Sequence, residues 1–336
     1  MLEAISARST YLALLNENAP ALARLIAICE RSDFLTAQIA AFPLLLDELI
    51  DERILEDMPT REQFAEELAA RLRHAPEVDP ERQVEALRQF QRAATFRVAL
   101  PDLTGRLPLM RVSDRLTDIA ELILEQAMAL AWQQITQLHG TPMCGSGAAL
   151  RPAGIAAVAY GKLGGVELGY ASDLDLVFLH DSEGDIQRTD GPKPLDNGVF
   201  FLRLGQRIVH LLTMHSAAGR LYEVDMRLRP SGKGGLMVTH VKAFHAYQRA
   251  EAWTWEHQAM LRARAVAGDP GIRRSFEDIR LDVLCHHVRR DTLREEVRKM
   301  RERMRAELSK SRPGEFDIKQ DPGGIADIEF LAQYWA

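Results

Sequence analysis

Two short runs in the middle of the chain, SDLDLVF (172–178) and LYEVDMRLRP (221–230), alternate charged and apolar residues with a period of two. Most of the sequence around them repeats its apolar residues at three and four. A strand alternates sides and a helix repeats every 3.6 residues, so this chain must set helices around a short sheet. On the first strand Asp173 and Asp175 share one face, about 6.6 Å apart along the chain, and Leu174, Leu176 and Phe178 take the other. Two carboxylates so placed repel unless a cation lies between them, and a divalent cation is the economical neutraliser. A lone D-x-D can equally be a strand end with two solvated acids. The second run adds a third acid, because alternation puts Glu223, Asp225, Arg227 and Arg229 on one face and Tyr222, Val224, Met226 and Leu228 on the other. A third carboxylate beside a metal pair can take the proton of an attacking hydroxyl, and guanidinium groups match phosphate geometry.

Between the strand Ile155–Tyr160 and the acidic strand Asp173–Leu179 lies a glycine turn, Gly161-Lys162-Leu163-Gly164-Gly165. Glycine lets backbone amides approach an anion closely. The spacing fits neither the P-loop nor the G-x-G-x-x-G fingerprint, so both classes are set aside. A helix over Phe200–Met214 and a third strand, Leu221–Leu228, complete the central unit.

The N-terminal stretch reads as helical throughout. Pro20 suits a first turn, with Leu22, Leu25, Ile26 and Cys29 on one stripe. Thr60 and Gln63 form a capping box ahead of Phe64, Leu68 and Leu72. Asp79-Pro80 opens a helix that turns Val84, Leu87 and Phe90 inward, and Ser113 opens a long one ending at His139-Gly140. The Gly/Pro/Ser-rich segment 141–154 reads as a linker. After about Asp269 the chain is helical again, with a stripe of Leu293, Val297, Met300, Met304 and Leu308 whose interleaved Arg and Glu residues read as a solvated face. Trp253 and Trp255, an aromatic pair in an apolar helix, are expected in the core.

Composition excludes several classes. With 42 basic against 48 acidic residues, the net charge of −6 gives no electrostatic footprint for nucleic acid. The three cysteines, Cys29, Cys144 and Cys285, lie far apart and make no C-x-x-C pair, which suits a reduced, cytoplasmic protein. Neither a basic leader nor a membrane-length apolar run is present, so no membrane partner is expected.

The segments GKLGGVELGYASDLDLVFLHD, LYEVDMRLRPSGKGG, EAWTWEHQAMLRARAVAGD and FDIKQDPGGIADIEF resemble the bifunctional enzymes that adenylylate and deadenylylate glutamine synthetase. The likeness extends to the N-terminal helices around TYLALL and FPLLLDELID and covers nearly the whole chain. It implies an α+β architecture: a DNA polymerase β-type nucleotidyltransferase domain, a mixed sheet with helices, flanked by N-terminal and C-terminal helical domains. The expected domains are 1–140 helical, 141–154 linker, 155–268 catalytic and 269–336 the start of a C-terminal helical domain. The segments look like the adenylylating, C-terminal half of those enzymes. The adenylyl-removing, phosphorolytic half and a protein uridylyltransferase are the alternatives.

The resemblance also implies a reaction: AMP passes from ATP to a tyrosine hydroxyl of glutamine synthetase and pyrophosphate leaves. Two Mg²⁺ ions, for which Mn²⁺ can substitute, would be held by Asp173, Asp175 and Asp225, with Asp225 also the base. Gly164, Gly165 and Ser172 would donate to the triphosphate, with Lys162, Arg227 and Arg229 as further candidates. The PII signalling protein and glutamine are the implied regulators. Lys319, Asp327 and Glu329 fall in a matched segment without a derivable role. Finally, Ile325, Ile328, Phe330, Leu331, Tyr334 and Trp335 open an apolar helical pattern that stops at Ala336, so a truncated domain with a poorly packed last helix is expected.

Overall fold

Short polar residues set the first helical starts. Asn18 accepts from Ala21 N at 3.1 Å to begin the helix Ala19–Arg31, and Ser32 accepts from Leu35 N at 3.2 Å to begin the helix Asp33–Ala41. The computed structural model describes residues 9–50, 58–75, 79–215, 219–287, 291–309, 311–312 and 314–336. In chain order the first helices are α1 (Ser9–Glu17), α2 (Ala19–Arg31) and α3 (Asp33–Ala41), followed by a 3₁₀ turn over Pro43–Leu49. Helix α2 buries Ala21, Leu25 and Ile28, whereas Leu22 and Ile26 are 39% and 51% exposed. The expected stripe is thus rotated. The helix is apolar on more than one side, and the neighbours it packs with, Leu45, Leu46, Leu49, Phe96 and Leu100, select the face.

Helix α4 (Arg61–Arg73) carries the expected Thr60–Gln63 capping box and buries Phe64 and Leu68. Helix α5 (Pro80–Leu103) starts on the Asp79 cap and buries Val84, Leu87 and Phe90, with Phe64 and Phe90 edge to face at 6.1 Å. Helix α6 runs Leu109–His139, beginning ahead of Ser113. The compact unit built on these helices comprises 1–132 together with 166–173 and 207–223. Hydrogen bonds show why the two later segments belong to it. Arg88 Nη2 donates to Met214 O at 2.8 Å, Gln91 Nε2 to Leu221 O at 2.7 Å, and Tyr170 Oη to Asp102 Oδ2 at 2.7 Å.

The second unit contains 133–165, 174–206 and 224–336. Its elements are β1 (Pro142–Gly145), β2 (Arg151–Pro152), β3 (Ile155–Ala159), a single turn α7 (Gly161–Gly164), β4 (Leu174–His180), β5 (Ile186–Thr189), α8 (Asn197–Thr213, begun here and finished in the helical unit), β6 (Val224–Asp225) and β7 (Val238–His240). Helices α9 (Val241–Ala250) and α10 (Thr254–Met260), strand β8 (Arg264–Gly268), and helices α11 (Pro270–His286), α12 (Leu293–Leu308) and α13 (Ile325–Trp335) follow. The segment expected as a linker is structured instead: β1 pairs antiparallel with both β2 and β5. Its prolines, Pro142 and Pro152, stand within these short strands, and Gly147 opens the 3₁₀ turn between them.

The central sheet is mixed, in the order β6-β4-β3-β8 with β7 also on β4. Strand β3 runs antiparallel to β4 and β8, while β6 and β7 are parallel to β4. All five residues of β3 are buried, as a strand covered on both faces requires. Helix α11, capped by Asp269, sets Ile272, Phe276 and Val283 in one core with Val158, Val177 and Leu179. The architecture is α+β. No single helix among the described residues is long and apolar enough to cross a membrane.

Two expectations for the last third are corrected. Arg301, on the supposedly solvated face of α12, is 6% exposed; its Nε donates to Asp327 Oδ1 at 2.6 Å and its Nη2 to Gln320 O at 2.7 Å. Asp327 therefore holds a buried cation. Trp253 is 63% exposed, not core; it stands at the N-cap of α10, between the buried Ala252 and Thr254. Helix α13 forms as expected, and Ile328, Leu331 and Trp335 are exposed along it.

Candidate active site

The parallel pairing of β4 with β6 is what assembles the acids. Leu174 stands opposite Val224 and Asp175 opposite Asp225, so two carboxylates fifty residues apart in sequence become cross-strand neighbours. Asp173 directly precedes β4 and joins them through the strand's alternation. Carboxylate oxygens of Asp173, Asp175 and Asp225 all lie within 4.8 Å of one another, Asp173 exposed and the other two half-buried. Hard oxygen donors this close fit a magnesium or manganese ion, which also removes their mutual repulsion.

The glycine turn supports this cluster sterically. Gly161 has φ +54°, and a β-carbon there would sit 2.1 Å from Asp175 Oδ2. Behind it Tyr160 N donates to Asp175 O at 2.9 Å, tying the turn to the acidic strand. Gly164 is buried for a different reason: a β-carbon would meet Arg262 O at 2.1 Å and Ala159 O at 2.5 Å. The amides of Gly164 and Gly165 bond to Tyr160 O and Gly161 O at 2.9 and 3.0 Å. These two glycines thus shape the turn rather than point donors outward. Lys162 is exposed. Ser172 closes its own small loop, Oγ accepting from Gly169 N at 3.0 Å.

The third expected strand is shorter than its alternation suggested, with only Val224–Asp225 in the sheet. Beyond Asp225 the chain turns, and the aligned face of four charges dissolves. Arg227 folds back on Asp225, its N and Nε donating to the carboxylate at 2.8 and 2.6 Å. Burial pushes the Asp225 pKa up, but the Arg227 side chain and amide outweigh it, so the net shift is downward. Arg229 donates instead to the carbonyls of Met226 and Lys233 at 2.8 and 3.1 Å, fixing the 230–235 loop. Glu223 is exposed and pairs with Arg220.

Sequence reasoning missed the steric role of Gly161, whose signal, the positive φ, appears only in three dimensions. Glu329, for which the sequence offered no role, lies 3.6 Å from Arg262. Three carboxylates brought together beside paired strands of a mixed sheet, two half-buried and one exposed, could serve as oxygen donors to a divalent cation. The sequence profile described as glutamate-ammonia ligase adenylyltransferase matches residues 22–279, and the chain belongs to that family. The bifunctional glutamine synthetase adenylyltransferase/adenylyl-removing enzyme of Thioalkalivibrio sulfidiphilus is 51% identical over 335 residues, 100% of this chain and 34% of that protein. The proteins of the same description from Shewanella loihica and Pseudomonas syringae are each 50% identical, over 99% and 100% of this chain and 35% of their own length. The chain spans about a third of the length of these curated relatives.

Proposed function

We propose that this chain carries the AMP-transferring centre of such an enzyme, on a nucleotidyltransferase sheet of the DNA polymerase β type, acting on a tyrosine of glutamine synthetase in the cytoplasm. The observation that carries this reading is the approach of Asp173, Asp175 and Asp225 to within 4.8 Å across the β4–β6 pair. Mg²⁺ held there, as two ions or with Mn²⁺ in its place, would supply Lewis-acid polarisation of the α-phosphate and of the attacking oxygen.

The chain's own residues do the rest. A tyrosine hydroxyl, with an ordinary pKa of about 10, is a poor nucleophile until its proton has somewhere to go. Asp225 receives that proton while Arg227 fixes its carboxylate in place. The phenolic oxygen then bonds to the α-phosphorus, the bond to the β-phosphate oxygen breaks, and pyrophosphate leaves. Arg227, exposed beside Asp225, and Lys162, exposed on the glycine turn, are the candidate cations for the departing charge. Ser172 contributes its hydroxyl at the entrance to β4. The PII protein and glutamine act as regulators of the whole enzyme.

Adenylylation is preferred to removal on the segments 168–181, 221–232 and 251–258. The deciding experiment incubates the purified chain with ATP labelled in the α-phosphate, Mg²⁺ and unmodified glutamine synthetase. Label should appear on the synthetase. No label there, together with release of ADP from adenylylated synthetase and phosphate, would assign the chain to the removing activity. Transfer from UTP to a signalling protein would assign it to uridylylation.

A further inference from the structure

Gly161 borders a small cavity of about 180 Å³, whose lining includes Trp255, Gln258, Arg262, Met304, Phe330 and Gln333. Its polar content is unusual. Gln258, on α10 (Thr254–Met260), is only 5% exposed, yet among the described residues neither its Oε1 nor its Nε2 has a hydrogen-bond partner. A buried carboxamide with both functions unmet is costly, and native proteins seldom keep one without a ligand or solvent to satisfy it. Gln258 therefore presents a donor and an acceptor side by side to whatever enters.

A nucleobase edge is the partner with matching chemistry. A glutamine carboxamide pairs bidentately with the amino donor and ring-nitrogen acceptor of adenine. Trp255, Met304 and Phe330 supply the apolar and aromatic contact that base faces take. The volume is below the 300–1,000 Å³ of drug-sized sites and suits one ring system. Position supports the same occupant. Gly161 forms part of the cavity wall and also abuts Asp175, so a nucleotide with its phosphates at the acids reaches the cavity with its base.

We propose that this cavity is the subsite for the adenine of the AMP donor, and that Gln258 reads the base edge through its carboxamide. The inference rests on the proposed AMP transfer for the identity of the base. It assigns specificity to a helix outside the carboxylate cluster.

The test measures equilibrium binding of ATP, purine riboside triphosphate, which lacks the 6-amino group, and inorganic tripolyphosphate, each with Mg²⁺, to the wild-type chain and to Gln258→Leu. Wild type should bind ATP roughly ten- to a hundredfold more tightly than the purine analogue, the value of one bidentate base contact. Gln258→Leu should lose that preference and weaken ATP by a similar factor, while tripolyphosphate binding stays as in wild type. Because the substitution removes an unsatisfied buried amide, its melting temperature should not fall. Unchanged ATP binding in Gln258→Leu, an equal loss for tripolyphosphate, or no preference for ATP over the analogue in wild type would each overturn the subsite. If a correctly folded Gln258→Glu keeps the full preference for ATP, the carboxamide is not the reader and the proposal also fails. A wild-type chain that shows the predicted preference but transfers no AMP would sink the transfer reading and leave the subsite standing.

Discussion

A β-carbon at Gly161 would lie 2.1 Å from Oδ2 of Asp175, so the glycine turn and the acidic strand are one steric object. Gly161→Ala must therefore push the carboxylate aside and place a side chain at φ +54°. Strain of that kind costs about 1–3 kcal/mol, and displacing a ligand by a fraction of an ångström is felt directly in turnover. The expected result is a lower melting temperature together with a loss of AMP transfer of at least about tenfold. Full activity in the alanine variant would show that the contact does not shape the site.

Asp173→Asn and Asp175→Asn each remove one charge from a cluster that stands on a rigid sheet. Each should reduce transfer by roughly a hundredfold or more with little change in the circular dichroism or the melting midpoint, since on the proposed reading the charge serves a cation and not the fold. Mg²⁺ titration of the intact chain, followed by tryptophan fluorescence or calorimetry, should show a loss of affinity in step. Wild-type turnover in either variant would remove these residues from the site.

Asp225 carries the proton assignment and separates binding from chemistry. Arg227 already holds this carboxylate ionised, so it is present as an acceptor at neutral pH. Asp225→Asn should lower kcat far more than it raises the dissociation constant for ATP, because the base acts on the acceptor hydroxyl and not on the bound nucleotide. Equal losses in the two constants would make Asp225 a ligand only.

A pH effect on stability should arise away from the acids. The ring of His180 stacks on Phe201 with centroids 4.6 Å apart and meets His240 edge-on at 5.3 Å. Burial pushes its pKa down to about 4, His240 adds to the shift and Asp181 opposes it. The unfolded chain, with an ordinary histidine near 6.5, takes up a proton that the folded chain refuses. Stability is then lost as the pH falls from about 6.5 toward 4 and is retained above that window. His180→Asn keeps an acceptor for Ser182 N, which now bonds to Nδ1 at 3.2 Å, and should flatten the fall in melting temperature over the same range. Parallel curves for wild type and variant would refute the assignment.

Elements whose signals are local were legible in the sequence: the Thr60–Gln63 box, the Asp79 cap and the D-x-D alternation each depend on neighbours within a turn or two. What depended on distant partners was not. The face α2 buries is chosen by Leu46, Leu49 and Phe96, which a periodicity count cannot weigh. The run alternates from Tyr222 to Arg229 as sequence, yet only two of its residues enter the sheet because Arg227 and Arg229 are recruited to Asp225 and to the following loop. Arg301 looked like one more charge on a wet helix until Asp327, from a later segment, buried it. The three acids were expected at one site from the resemblance, but the pairing that sets Asp175 opposite Asp225 was not, since register between β4 and β6 has no signature along the chain.

That register has a kinetic consequence. Parallel strands need a crossover, and joining Asp175 to Asp225 means closing a loop of some fifty residues before any of their contacts can form. Helices such as α5 and α6, built from local contacts, can form early, whereas the β4–β6 pair belongs to the slow, non-local part of the folding reaction. On the proposed reading, cation affinity therefore arrives late during refolding. A helical intermediate should already show far-ultraviolet ellipticity while still binding Mg²⁺ no better than the unfolded chain.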